Sequence, residues 1–118
     1  MLDISARFTP FRMVLGRREP VELMVELSNK GSEEKTASIE IVLGRKLSLD
    51  RVGYKATEIK RIPNFKPGER KCYYYSIWPK GITEPGEETV IIKATEHYEG
   101  NYGLAKKESI EKLGLKIE

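Results

Sequence analysis

Glutamine is absent from this 118-residue chain, and cysteine, histidine and tryptophan each occur once. Each scarcity excludes something. A lone Cys72 allows neither an internal disulfide nor a cysteine metal cluster, and its default place is a small hydrophobe in the core. His97 falls at a predicted strand end in TEHYEGNYG. To hold a metal it would need Glu96, Glu99 or more distant residues, and neither spacing is diagnostic. No metal and no cofactor are expected. No apolar run approaches the roughly 18 residues of a membrane helix. The opening MLDISARFTPFRMVLG has no basic stretch followed by a continuous apolar one, so no signal peptide is expected. That suits the cytoplasm for the chain as it stands, and the cell surface if it is an excised domain. Gly16 is followed by no Gly-Lys-Ser/Thr, which excludes a phosphate loop. The serines and Cys72 lie in no nucleophile-elbow context. The expectation is a protein that is not an enzyme.

What is present is charge, at 33% of residues, and tyrosine, at six. Such a mixture is too polar for a membrane protein and too apolar for a disordered one. Abundant Lys, Arg and Glu without Gln lean towards a thermophilic source. Residues 45–80 hold ten Lys or Arg against three Asp or Glu, a local +7, while residues 1–44 come to −1 and 81–118 to −3. The middle third is a basic segment in a slightly acidic chain.

Period-two alternation dominates, the mark of strands with one buried face. Val21, Leu23, Val25 and Leu27 share a face against Glu22, Met24 and Glu26. Ala37, Ile39, Ile41 and Leu43 repeat the pattern, as do Val90, Ile92 and Ala94. Leu2, Ile4, Ala6 and Phe8 predict a first strand. Ile110, Leu113, Leu115 and Ile117 predict a last one, with a bulge where the parity slips between Ile110 and Leu113. YKATEIKRI, rich in Lys and Arg, reads as an edge strand. SNKGSEE reads as a turn, and KPGE and EPGE each place Pro and Gly where a type II turn needs them. YGLAKKES is at most a weak helix. Residues 1–118 therefore read as a single domain, an all-β, seven-stranded sandwich.

VELMVELSNKGSEEKTASIEIVL, PNFKPGERKCYYYSIWP and EPGEETVIIKA, in that order, resemble the Ig-like CARDB (cell-adhesion-related) modules of archaea and bacteria. The matching positions are Asn29, Gly31, Pro67 to Glu69, Trp78, Pro79 and Gly86, within residues 18–97. The resemblance implies an immunoglobulin-like β-sandwich that binds or spaces without catalysis. It also implies that Tyr74 and Trp78 point inward.

KCYYYSIWPKG, residues 71–81, then divides. In a strand Cys72, Tyr74, Ser76 and Trp78 share one face and Tyr73, Tyr75 and Ile77 the other. With Trp78 and Tyr74 inward and a small Cys72 beside them, Tyr73, Tyr75 and Ile77 are expected outside. They would form either an ordinary tyrosine-rich strand surface or a contact patch. HYEGNYGLAKK reads as a long loop between the last two strands, with Tyr98, Asn101 and Tyr102 resembling paratope chemistry. The leading expectation is a non-catalytic interaction module that contacts another protein through Tyr73, Tyr75, Tyr98, Asn101 and Tyr102. The alternative is single-stranded nucleic acid or polyanion binding through Arg45, Lys46, Lys60, Arg61, Arg70 and Lys71, with bases stacking on nearby rings. A third reading is a homodimer that pairs through an open edge at the first or last strand.

Overall fold

Alternation of apolar and polar residues becomes two stacked sheets in the computed structural model, which describes residues 2–17, 19–81 and 83–118. The strands are β1 (Leu2–Thr9), β2 (Arg12–Met13), β3 (Val21–Asn29), β4 (Lys35–Leu43), β5 (Leu47–Ser48), β6 (Thr57–Phe65), β7 (Arg70–Pro79), β8 (Gly86–Tyr98) and β9 (Asn101–Ile117). One sheet runs β1-β3-β7-β5 and the other β2-β9-β8-β4-β6. The all-β sandwich expectation holds. The strand count among the described residues is nine, not seven, because β2 and β5 are two-residue pairings too short to show periodicity. The seven long strands are those the sequence predicts.

The core is built from the inward rows. Val21, Leu23, Val25 and Leu27 of one sheet face Ile39, Ile41, Val90, Ile92, Leu115 and Ile117 of the other, all with at most 2% exposure. Met13 joins them from β2. β6 is the edge strand that its lysine and arginine content predicted, paired only to β4. A register shift opposite Thr36 lets both Ile62 and Phe65 reach the interior although they are three residues apart. Pro63 sits in this irregular stretch, where a missing N–H does least harm.

Of four local expectations, three need correcting. KPGE does form a type II turn: Gly68 has φ +76° and the Glu69 N–H donates to the Lys66 carbonyl at 3.0 Å. EPGE does not. Gly86 has φ +153° and begins β8 instead. The helix suggested for YGLAKKES is strand, part of the 17-residue β9. The bulge lies near Lys106, opposite the Glu96–His97 step, and not between Ile110 and Leu113. Ile110 accordingly faces outward, 55% exposed, while Leu113, Leu115 and Ile117 keep the inward row.

The Asn29 turn is the firmest local structure. Its side chain is fully buried. Oδ1 accepts from the Gly31 N–H at 2.9 Å, and Nδ2 donates to the Phe65 carbonyl at 2.9 Å and the Glu33 carbonyl at 3.0 Å. Its backbone bonds the β6–β7 turn as well: Asn29 N–H donates to the Glu69 carbonyl and Gly68 N–H to the Asn29 carbonyl. One residue therefore ties the 30–34 turn to the β6–β7 turn.

Candidate functional site

The tyrosine stretch is placed by its neighbour β3. Register pairs Val21 with Ile77, Leu23 with Tyr75 and Val25 with Tyr73. Cross-strand partners share a face, so the inward row of β3 draws Tyr73, Tyr75 and Ile77 inward. The expected parity is thus reversed. Tyr75 is 5% exposed and Ile77 fully buried, while Tyr74 is 62% exposed beside Met24. Cys72, expected in the core, is exposed, its Sγ 3.9 Å from Glu26. Trp78 is on the outer row, half-buried under the Arg51 guanidinium at 5.9 Å. Burial raises the Tyr73 and Tyr75 phenols above the usual tyrosine range. The Tyr75 hydroxyl is buried without a hydrogen-bond partner. These two rings are core, and they leave the candidate contact set.

The other three predicted residues meet at the opposite sheet's end. The expected long loop is absent: β8 and β9 run on to a two-residue tip, Glu99–Gly100, and Gly100 has the positive φ (+69°) that so short a reversal needs. Asn101 is exposed and folds back on its own turn, accepting from the Gly103 N–H at 2.9 Å. Tyr98 and Tyr102 line a cleft of about 590 Å³ between this hairpin, the 30–34 turn and the end of β6. Gly100 N–H donates to Thr36 Oγ1 at 3.2 Å, which pins the tip across to β4.

Several side chains in this cleft or packed behind its lining have no signal in the one-dimensional pattern. Ser38 Oγ and His97 Nε2 lie 2.7 Å apart, and His97 Nδ1 is 3.3 Å from the Leu104 carbonyl. A carbonyl only accepts, so Nδ1 carries the proton in the neutral ring, and Ser38 donates to Nε2. The Tyr102 ring packs against His97 with centroids 5.1 Å apart, and the Arg61 guanidinium lies 4.7 Å above the same ring. The Tyr102 hydroxyl is buried and unpartnered. Lys35 and the buried Glu96 pair at 2.5 Å, and that hydrogen bond, opposed by burial, holds the lysine above its usual range. With that pair neutral, Glu33, Glu34 and Glu99 face Lys106, so the cleft carries an excess of negative charge. The serine–histidine contact ties β4 to β8. Among the described residues no group of three or more His, Cys, Asp or Glu is arranged to hold a metal.

The basic set is dispersed. Lys60 and Arg61 point to opposite sides of β6, one over Tyr73 and the other over Tyr102. Arg70 and Lys71 belong to the other sheet, where they meet Glu26 at 3.9 Å and Glu69 at 3.3 Å. Arg45 and Lys46 lie in the β4–β5 turn at the far end. That end has a second cleft, about 470 Å³, in which Arg51 and Lys80 flank Trp78.

No family model matches the chain, and no curated protein matches it. Solved structures do. AvmM, which catalyses macrocyclization in alchivemycin A biosynthesis, superposes with a TM-score of 0.65 at 8% identity, covering 98% of this chain and 88% of that one. AggA, the major subunit of aggregative adherence fimbriae type I from Escherichia coli, gives 0.51 at 12% identity, with 100% and 96% covered. The ApaA protein of Bordetella pertussis gives 0.50 at 16%, with 99% and 92% covered. At such identities the likeness is one of fold. An enzyme and a fimbrial subunit share this sandwich, so the fold itself selects no activity.

Proposed function

We propose that the chain is a non-catalytic, immunoglobulin-like interaction module of the adhesion type its turn motifs resemble, and that the hairpin-end cleft receives a segment of another protein. The observation that carries this is the cleft itself, with Tyr98, Tyr102 and His97 set among the carboxylates of Glu33, Glu34 and Glu99. Aromatic rings supply stiff contact area. Glu33, Glu34 and Glu99 favour a basic side chain on the partner. The fimbrial neighbour, itself an assembly subunit by its name, is consistent with such a role. The test is selection from a displayed random peptide library on the wild-type chain and on a Tyr98→Ala/Tyr102→Ala variant. Enrichment of Lys- or Arg-containing peptides on the wild type alone supports the reading. Equal enrichment on both, or none, defeats it.

The second cleft favours one further reading, anion binding at Trp78 with Arg51 and Lys80. It replaces the dispersed basic track with a single point of contact, a stacking ring beside two cations. Fluorescence anisotropy with a labelled single-stranded oligonucleotide at low and near-physiological salt separates the cases. Binding that survives salt and is lost in Trp78→Ala supports it, and binding abolished by modest salt assigns these residues to a solvated surface.

A further inference from the structure

Among the described residues four long strand edges are open: β6, β1, β9 over the length that β2 leaves uncovered, and β7 from Arg70 to Ile77, beyond the reach of the two-residue β5. Three of them carry features that discourage pairing with another chain. β7 opens on the charged pair Arg70 and Lys71. β6 has Lys60, Arg61, Pro63 and an irregular register, and β9 has Lys106, Lys107, Lys112 and the bulge opposite His97. β1 has no lysine, proline or bulge from Leu2 to Thr9, and its register with β3 is regular throughout. Its core-facing row, Ile4, Ala6 and Phe8, is only half-buried.

We propose that β1 pairs antiparallel with β1 of a second copy of this chain, about a two-fold axis through Ser5, so that the four-stranded sheets of two copies become one continuous sheet. Two constraints choose this register. The apolar row is even-numbered and the polar row odd-numbered, so only registers that match even with even keep both rows on their own faces. Among those, centring on Ser5 sets Asp3 opposite Arg7, twice by symmetry, with Leu2 opposite Phe8 and Ile4 opposite Ala6. Centring on Ile4 or Ala6 sets Asp3 opposite Ser5 or Thr9. Centring on Asp3 or Arg7 places like charges against each other. Opposite charges directly across a strand pair stabilise it and like charges destabilise it. Among the described residues neither Asp3 nor Arg7 makes an ion pair within its own chain. The pairing is isologous, as a closed dimer requires. It uses a different surface from the hairpin-end cleft and stands whether or not that cleft binds a protein.

The test is sedimentation velocity of the whole chain over a concentration series. The wild type is expected to approach twice the 13.5 kDa chain mass. Asp3→Arg and Arg7→Asp, each alone, should weaken association by roughly tenfold or more, since each brings like charges together twice. Mixing the two variants should restore the dimer, and so should both changes in one chain. Unchanged thermal melts of the variants would show that the fold survives these exposed substitutions. A wild type that stays monomeric throughout, single variants that associate as well as the wild type, or a mixture that does not recover would each overturn the proposal. A dimer that ignores both reversals and is lost in Ile110→Lys would place the contact on β9, and that too overturns it.

Discussion

Tyr75 lies on β7 among two further tyrosines and a tryptophan, and Tyr98 closes β8 as its single tyrosine, yet it is the first that is 5% exposed and the second 53%. β7 is held between β3 and the short β5, and the apolar row of β3 sets its parity. The end of β8 runs past the core into a hairpin, where its partner β9 is exposed on nearly every residue from Gly103 to Lys112. The comparison teaches that a tyrosine's role is decided by what pairs beside its strand, and that tyrosine density alone marks neither core nor contact.

Substituting the two rings by alanine breaks the comparison most sharply. Tyr75→Ala should lower unfolding stability by about 3–4 kcal/mol, the usual loss for a large buried ring. Tyr98→Ala should stay within about 0.5 kcal/mol, and both are read by urea denaturation. Next in size is Asn29→Ala, which strips a partner from the buried Phe65 carbonyl and another from the Glu33 carbonyl beside the cleft. A loss of about 2–3 kcal/mol is expected, with faster amide exchange in the 30–34 turn. Tyr75→Phe should act in the opposite direction, raising stability by about 1 kcal/mol, because it removes a hydroxyl buried without a partner. An equal or greater loss in that variant would mean the hydroxyl is satisfied and the core reading of Tyr75 is incomplete.

The smallest effect lies at the end remote from the hairpin. Asp50 Oδ1 accepts from the Gly53 and Tyr54 N–H groups at 2.9 Å and the Lys55 N–H at 3.2 Å, and also bonds the Ser48 hydroxyl. The Ser48 bond, then the backbone bonds, lower its carboxyl to about 2. A lowered carboxylate stabilises the fold above its unfolded value near 3.8 and loses that contribution as pH falls towards 2. The 50–55 loop should therefore loosen across that window, visible in the Gly53 and Tyr54 amide resonances, while the hairpin tip does not respond. Asp50→Asn should remove the dependence.

Alternation made five of the long strands legible, because β1, β3, β4, β8 and the end of β9 each have one largely apolar face and one polar one. β7 defeated the same logic. Cys, Tyr, Ser and Trp fit either face, so its parity had to come from Leu23 and Val25 across the ladder. The hairpin was hidden for another reason. Asn101 and Gly103 read as loop, yet both lie in β9, which pairs with β8 across register shifts beside His97, and Glu99 and Gly100 alone remain as the tip. Tyr98, Asn101 and Tyr102 were visible as a group, whereas Lys35 and Glu96 reach the cleft, and Ser38 and Arg61 reach its lining residues His97 and Tyr102, only through pairings of residues far apart in sequence.

The sheet order also fixes how the molecule meets a stretching force. Leu2 pairs with Asn29 at the hairpin end, and Ile117 pairs with Gly86 at the other end of a body 47 Å long. Tension applied between those two points runs along the strands. It slides β1 past β3 and β9 past β8, and it pulls β2 lengthwise against its parallel partner β9, where Glu118 N–H and Leu15 N–H add bonds to Met13 and Glu118. In that geometry many hydrogen bonds share the load at once, whereas a hairpin pulled open at its ends yields them singly. Stretched end to end, this sandwich should behave as a mechanical clamp.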